Sequence, residues 1–280
     1  VSILGLTATV LGVSVIAGLL GALTGLGGGI VIVPFLTLAL GVDIHYAIGA
    51  SLVSVIATSS GAASAYVKEG FSNIRVGMFL EMGTTLGAIG GACLAAVAAP
   101  SLIAFIFGIV LIGNVVASIL QPPDSSDSLP RSSGPVAARL RMDGEYPSLR
   151  GLVRYHVRRA PAGLGVSSMA GVLSGLLGIG GGALKVIAMD RVMRIPFKVS
   201  TATSNFMIGV TAASSAGIYL HRGYIDPGLT LPVMLGVLAG SIIGTRVLSR
   251  TPTRWLRRVF NVVILALGVE MIFNALTGRI

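Results

Sequence analysis

GLGGGIVIVPFL at residues 25–36 has a counterpart in GIGGGALKVIAM at residues 178–189. Each begins with a glycine run and continues as a short segment of about 12 residues, 30–41 in one half and 183–194 in the other. Such a stretch, wound as a helix, reaches about 18 Å at ~1.5 Å per residue. The hydrocarbon core of a bilayer is about 30 Å thick. Each stretch is therefore expected to be a broken or re-entrant helix, with its glycines inside the membrane depth. Irregular backbone survives there only where protein buries it or where it lines a cavity.

Sliding the chain against itself by 153 positions extends the match without gaps. Gly25, Gly27, Gly28 and Gly29 fall on Gly178, Gly180, Gly181 and Gly182. Ser51 falls on Ser204, Thr58 on Thr211, Tyr66 on Tyr219 and Gly70 on Gly223. Gly83, Gly87 and Gly91 fall on Gly236, Gly240 and Gly244. Of 13 glycines between positions 25 and 91, 8 land on glycine, where 39 Gly in 280 residues give roughly 2 by chance. The chain is read as a duplication. Repeat 1 is residues 1–120, a polar linker is 121–160 and repeat 2 is 161–280.

Composition places both repeats in a membrane. Hydrophobic residues make up 54% and charged residues 11%, against roughly 25% charged in a soluble domain. Five segments are expected in each half: 2–24, 30–41, 45–67, 75–98 and 101–120, then 161–177, 183–194, 198–220, 228–249 and 255–276. Continuous apolar runs argue against a membrane β-barrel, which alternates. The first segment lacks a basic start and is read as a spanning helix rather than a signal peptide. The linker holds Pro122, Pro123, Pro130, Pro135 and Pro147, several Ser and seven Arg, the composition of a linker or a poorly ordered loop. The expected fold is therefore all-α: a polytopic membrane protein of two five-segment repeats.

An odd number of segments per half inverts the second repeat relative to the first. With the linker in the cytoplasm, 17 of the 20 Lys and Arg fall on the inner side. Arg222 and Arg279 fall outside, and Lys185 lies in a short segment. This is the positive-inside distribution, and it puts both termini outside. Inverted repeats with a discontinuous helix in each half are an architecture of secondary transporters. The net charge of +10 is thus assigned to cytoplasmic loops, and nucleic acid is not an expected partner. The partners expected are a small anion and the lipid bilayer, with a homo-oligomer left open.

The glycine runs suggest the chemistry. A helix start leaves N–H groups unpaired and carries partial positive charge. Glycine lets an anion approach that backbone. Gly27, Gly28, Gly29, Gly180, Gly181 and Gly182 are the candidate binding backbone. The competing reading, close helix packing, is preferred for Gly83, Gly87, Gly91 and their partners. Ser51, Ser54 and Thr58 share one helix face. The matching face of the second half has Ser204 and Thr211, with Thr203 and Asn205 beside them. Ser51, Ser204 and Asn205 are candidates to complete an anion's hydrogen-bond shell, or equally to bind helices together. Lys185 either draws the anion or snorkels to an interface. Glu81 and Glu270 are candidates for carrying a proton. His45, His156, His221 and Cys93 are scattered, so neither a metal, a cofactor nor an enzyme active site is expected.

The stretches GLGGGIVIVPFL, AIGASL (Ala47–Leu52) and the turn from Tyr66 to Gly70, with GIGGG, ATSN (Ala202–Asn205) and the turn from Tyr219 to Gly223, resemble the TauE/SafE family of sulfite-exporter-like permeases. The resemblance covers nearly the whole chain except the linker. It implies transport of sulfite, of sulfonates such as sulfoacetate, or of related sulfur oxyanions, usually outward from bacterial cells. The second copy departs from the first, with Lys185 and Ile187 where the first has Ile32 and Pro34, which implies an asymmetric site.

Overall fold

The computed structural model describes residues 3–24, 28–68, 71–119, 132–148, 151–248 and 253–279. Among them the first half forms α1 (Ile3–Thr24), α2 (Gly29–Pro34), α3 (Ile44–Lys68), α4 (Ile74–Ala95) and α5 (Pro100–Ile119). The linker region holds α6 (Pro135–Arg139), β1 (Gly144–Ser148) and β2 (Gly151–Tyr155). The second half forms α7 (Ala160–Leu177), α8 (Gly182–Ile187), α9 (Phe197–His221), α10 (Pro227–Leu248) and α11 (Thr253–Leu276).

The molecule is arranged for lipid. The helices Ile74–Ala95, Pro100–Ile119 and Ala160–Leu177 are long and apolar enough to cross a membrane, and five shorter apolar helical stretches accompany them. Met78, Met82 and Leu86 form an exposed apolar stripe on α4, and Val262, Val269, Phe273 and Leu276 another on α11. The interior instead holds Ser51, Ser54, Thr84, Ser167, Ser174, Thr203, Ser204, Thr211 and Ser215. Water would reverse this arrangement, whereas a bilayer accepts it because lipid tails are as apolar as the side chains facing them.

Glycine sets the helix contacts. α1 packs along α10, and α7 along α4. A Cβ on Gly87 or Gly91 would run into the backbone of Ser168 or Val172, and one on Gly171 or Gly175 into that of Thr84 or Ala88. Gly236 and Gly240 meet Leu11 and Val15 of α1 in the same manner. α3 lies against α9, and α5 against α11.

Both short helices change from α to π winding at matching positions, over Phe35–Ala39 and Ala188–Val192. Pro34 precedes the first of these turns, but Ile187 precedes the second, so proline is not their cause. Each closes with a residue in the left-handed region, Gly41 (φ 64°) and Arg194 (φ 59°). Each is followed by an equivalent backbone bond, Val42 N–H to Leu36 O and Ile195 N–H to Met189 O, both 3.0 Å.

Residues 132–148 and 151–160 of the linker region carry regular structure. β1 and β2 form an antiparallel hairpin, which also adds strand to an otherwise helical chain. Met142, Tyr155 and Val157 bury themselves against Val76, Leu80, Met189, Met193 and Ile195 of the helical body. The sequence does not betray this, because few apolar residues are spread among Pro, Ser and Arg with no period. Asn73 fastens the hairpin. Its Oδ1 accepts from Val76 N–H (3.1 Å) and caps α4, while its Nδ2 donates to Met142 O (2.8 Å) and the Tyr155 hydroxyl (2.7 Å). Its own N–H donates to Thr203 Oγ1 on α9 (2.9 Å). Burial pushes the Tyr155 phenol up to about 12. Burial also raises the Asp143 carboxyl, but hydrogen bonds from Ser133, Val157 N–H and His156 outweigh that and hold it below its ordinary value of 3.8.

At the opposite end, His45 places Nδ1 2.9 Å from Asp43 Oδ1 and Nε2 3.0 Å from Ala95 O, and its ring stacks on Tyr224.

Asn73→Ala removes a helix cap and two hairpin anchors. A lost cap costs about 1 kcal/mol, and the stranded Tyr155 and Met142 groups add a similar amount. The variant is expected to unfold earlier by thermal scanning in detergent and to be cut faster by protease between 132 and 160. Lowering the pH through and below the ordinary carboxylate value of Asp143 should release the same hairpin, because a depressed carboxyl stabilises only while ionised. Faster amide exchange at Val157 reads that release.

Candidate functional site

The two glycine runs meet where Gly29 approaches Gly178. A Cβ on Gly29 would stand 3.0 Å from Gly178 O, so the start of α2 lies against the end of α7. Ser51 Oγ donates to that same carbonyl at 2.7 Å. Ser204 Oγ donates to Gly182 O at 3.2 Å. Both serines thus satisfy backbone acceptors at the chain breaks. Asn205 is half-buried, and its side chain makes no hydrogen bond with the described residues. Gly27 lies outside the described residues.

The two runs differ in conformation. Gly28 is right-handed (φ −69°), and its carbonyl accepts from Val31 and Ile32 N–H at 3.2 and 3.3 Å. Gly178, Gly180 and Gly181 are left-handed, at φ 70°, 73° and 65°. Only glycine takes that geometry repeatedly without strain. The second run is therefore fixed as glycine by its backbone, whatever else it does. A Cβ on Gly28 would meet Val237 Cγ1 at 2.9 Å, so packing also constrains the first.

A small cleft opens where the short helices begin. Ile30 of α2, Val110 and Asn114 of α5, Leu173 of α7 and the segment from Gly181 to Leu184 line it. Lys185 N–H donates to Gly181 O at 3.2 Å and is the first amide of α8 with an intrahelical acceptor. The amides ahead of it have none. Asn114 is the polar side chain in the wall. A lone amide in an apolar helix is the sequence signal that marks it, and repeat matching does not reach it.

About one turn further along α8, Lys185 is fully buried. It does not snorkel. Its Nζ donates to Thr211 Oγ1, and Thr211 Oγ1 lies 2.7 Å from Glu81 Oε1. Glu81 is 7% exposed, and its Oε2 has no hydrogen-bond partner. The structure thus joins Lys185 to Glu81 through Thr211, across α8, α9 and α4. Glu270 is exposed on the outer face of α11 and joins neither group. Among the described residues no cluster of His, Cys, Asp or Glu could hold a metal.

The family description Sulfite exporter TauE/SafE matches residues 10–271. The chain belongs to the TauE/SafE family. Relatives of this TauE/SafE chain include a Bacillus subtilis protein described as probable membrane transporter protein YunE, 27% identical over 93% of this chain and 95% of its own length. Another B. subtilis protein, probable membrane transporter protein YdhB, is 24% identical over 92% and 96%. The Arabidopsis thaliana Sulfite exporter TauE/SafE family protein 1 is 31% identical over 37% of this chain and 22% of its own length. No solved structure matches. The TauE/SafE family comprises membrane transporters, and this chain is a membrane protein of that kind.

Lys185→Met strands the Glu81 carboxylate and is expected to cost about 3–5 kcal/mol. Combining it with Glu81→Gln should recover most of that loss, because both charges are then gone. Chemical unfolding of the single and double variants in detergent measures the coupling. Additive losses would mean that the two charges do not compensate each other.

Proposed function

We propose that the chain is a secondary transporter that exports a small sulfur-containing oxyanion such as sulfite or sulfoacetate across the bacterial inner membrane. Its two five-segment repeats are inverted relative to each other. The linker faces the cytoplasm and both termini face the periplasm. The anion is held between the two glycine-broken helices and reaches either side by alternating access.

The observation that carries this reading is the cleft where Ile30, at the start of α2, meets the start of α8 with Asn114 in its wall. Helix starts offer unpaired amides and a favourable field. An ionised ligand away from water has to find its donors in the protein. Substrate identity rests on the family, which is described as a sulfite exporter. The repeat relation is supported by the paired helix contacts, the matching π turns and the equivalent backbone bonds that follow them. The orientation is supported by the hydrogen bonds from Asn73 and Arg75 to the linker and from Arg158 N–H to Met193 O, which gather basic loops at one end.

Binding of sulfite, sulfate, thiosulfate, sulfoacetate and taurine to the purified protein tests the reading. Ala183→Leu fills the cleft from a helical position and should weaken anion binding by about tenfold or more, equivalent to ~1.4 kcal/mol. Gly87→Ala, at a helix contact, should lower the melting temperature with affinity retained. If the Ala183→Leu protein folds and binds like the parent, the cleft is not the site. In proteoliposomes, saturable flux with counterflow is expected, and non-saturating flux would make the protein a channel. For orientation, single cysteines at Ser126 and Gly278 are introduced with Cys93→Ser, since Cys93 is exposed. A membrane-impermeant reagent on intact cells should label position 278 and spare position 126.

A further inference from the structure

Glu81 and Lys185 are a buried charge pair bridged by one hydroxyl, and half of the carboxylate is unsatisfied. Thr211 has a single proton and two acceptors for it, Glu81 Oε1 at 2.7 Å and Met207 O at 2.9 Å. Thr85 Oγ1 reaches Glu81 Oε1 at 3.2 Å. Oε2 has no partner. A bare carboxylate oxygen away from water is costly, and the charge nearest to offset it is the Lys185 ammonium on the other side of Thr211. The helices packed against α4 supply no substitute. α7 has no ionisable side chain, and α9 has Lys198 and His221 at its two ends and Tyr219 in its last turns. Arg75 begins α4, Asp143 and His156 pair with each other in the linker, and Asp190 and Arg191 lie on the π turn past Lys185.

We propose that Glu81 is the proton-coupling site of the transporter: an anion arriving at the start of α8 takes over the charge of Lys185, and Glu81 then binds a proton. The inference rests on the proposed anion transport and adds its coupling ion. The step balances. The carboxylate and one proton from the water-facing side become a neutral carboxylic acid, while ammonium and anion pair. The O–H of the acid supplies the missing donor at the carboxyl group, and the Thr211 proton turns back to Met207 O. Release of the anion reverses each change and returns the proton to water. Without the proton, anion, ammonium and carboxylate would leave a net negative charge buried among apolar helices. The pairing is asymmetric, since positions 32 and 234, the counterparts of Lys185 and Glu81, are Ile and Met. A single carboxylate is available, so one proton per bound anion follows rather than two.

The test uses the purified full chain in detergent and the tightest binder among sulfate, thiosulfate and sulfoacetate, whose own charge is constant near neutral pH. Calorimetric titration in buffers of different ionisation enthalpy counts protons taken up on binding. About one proton per anion is expected, and affinity should fall about tenfold per pH unit in that range, as linkage requires. Glu81→Gln, which imitates the protonated state, should bind at neutral pH with no uptake and no pH slope. Glu81→Asp should restore both. Binding by the parent protein without proton uptake overturns the coupling proposal and leaves anion transport standing. Uptake that persists in Glu81→Gln overturns it equally. If none of the three anions binds to folded protein, the transport reading fails and the coupling falls with it. The parent measurement needs no variant to fold.

Discussion

Two breaks in the backbone, placed where lipid surrounds the protein, are the constraint on which the rest depends. Each leaves carbonyl and amide groups that a membrane cannot solvate, and each such group costs several kcal/mol if left alone. At the second break, side chains from both halves supply the donors. Ser51, from the first half, donates to Gly178 O at the second break. Ser204 attends to Gly182 O. The meeting of the runs requires Gly29 to pass within reach of Gly178, and a side chain there would prevent it. The breaks, the serines and the missing side chains are one solution to one problem. The amides at the start of α8 have no acceptor within that helix, and the residues that carry them line a cleft.

The same economy of side chains extends outward. Lipid offers helices no hydrophobic reason to associate, so close backbone contact and polar side chains replace it. Gly87 and Gly91 against α7, with Gly236 and Gly240 against α1, bring main chains together directly. Contacts of this kind are rigid within a helix pair and make few demands between pairs. Four helices are thereby tied as α1 with α10 and α4 with α7, around a central α3 and α9. Asn73 bonds α9 and the hairpin at once. The linker region is thus attached at a junction between the two halves rather than to one of them.

How much of this was legible in the sequence depends on the range of the interaction. The glycine runs, the short helices and the packing glycines are local or periodic signals, and duplication doubles each of them. The membrane assignment follows from composition alone. The hairpin was read as a connector because its burial depends on Tyr155, Met142 and Val157 finding surface on distant helices, which no periodicity records. Lys185 and Glu81 each stand out as charges within membrane segments, but their pairing does not. Glu81 lies on another helix in the other half, and the Thr211 hydroxyl between them was set aside as a helix contact. Pairings across long stretches of chain are set by tertiary packing, and one sequence has no register for them. Gly27, the remaining candidate, falls outside the described residues.

A duplicated scaffold gives a further criterion, since whatever the two halves share is sufficient for the scaffold and whatever they do not share needs another cause. Gly29 with Gly182, Ser51 with Ser204 and both π turns are shared, and each is explained by backbone satisfaction or packing. Lys185 and Glu81 are not shared; Ile32, which is buried, and Met234, which is half-buried, occupy the equivalent positions. A fold that can be built with Ile and Met gains nothing in stability from a buried ion pair, which at best breaks even against an apolar replacement of similar size. The pair therefore persists for a reason other than holding helices together. A charge that a membrane helix tolerates only in company is suited to a task in which the company changes, and an anionic substrate arriving beside Lys185 is such a change.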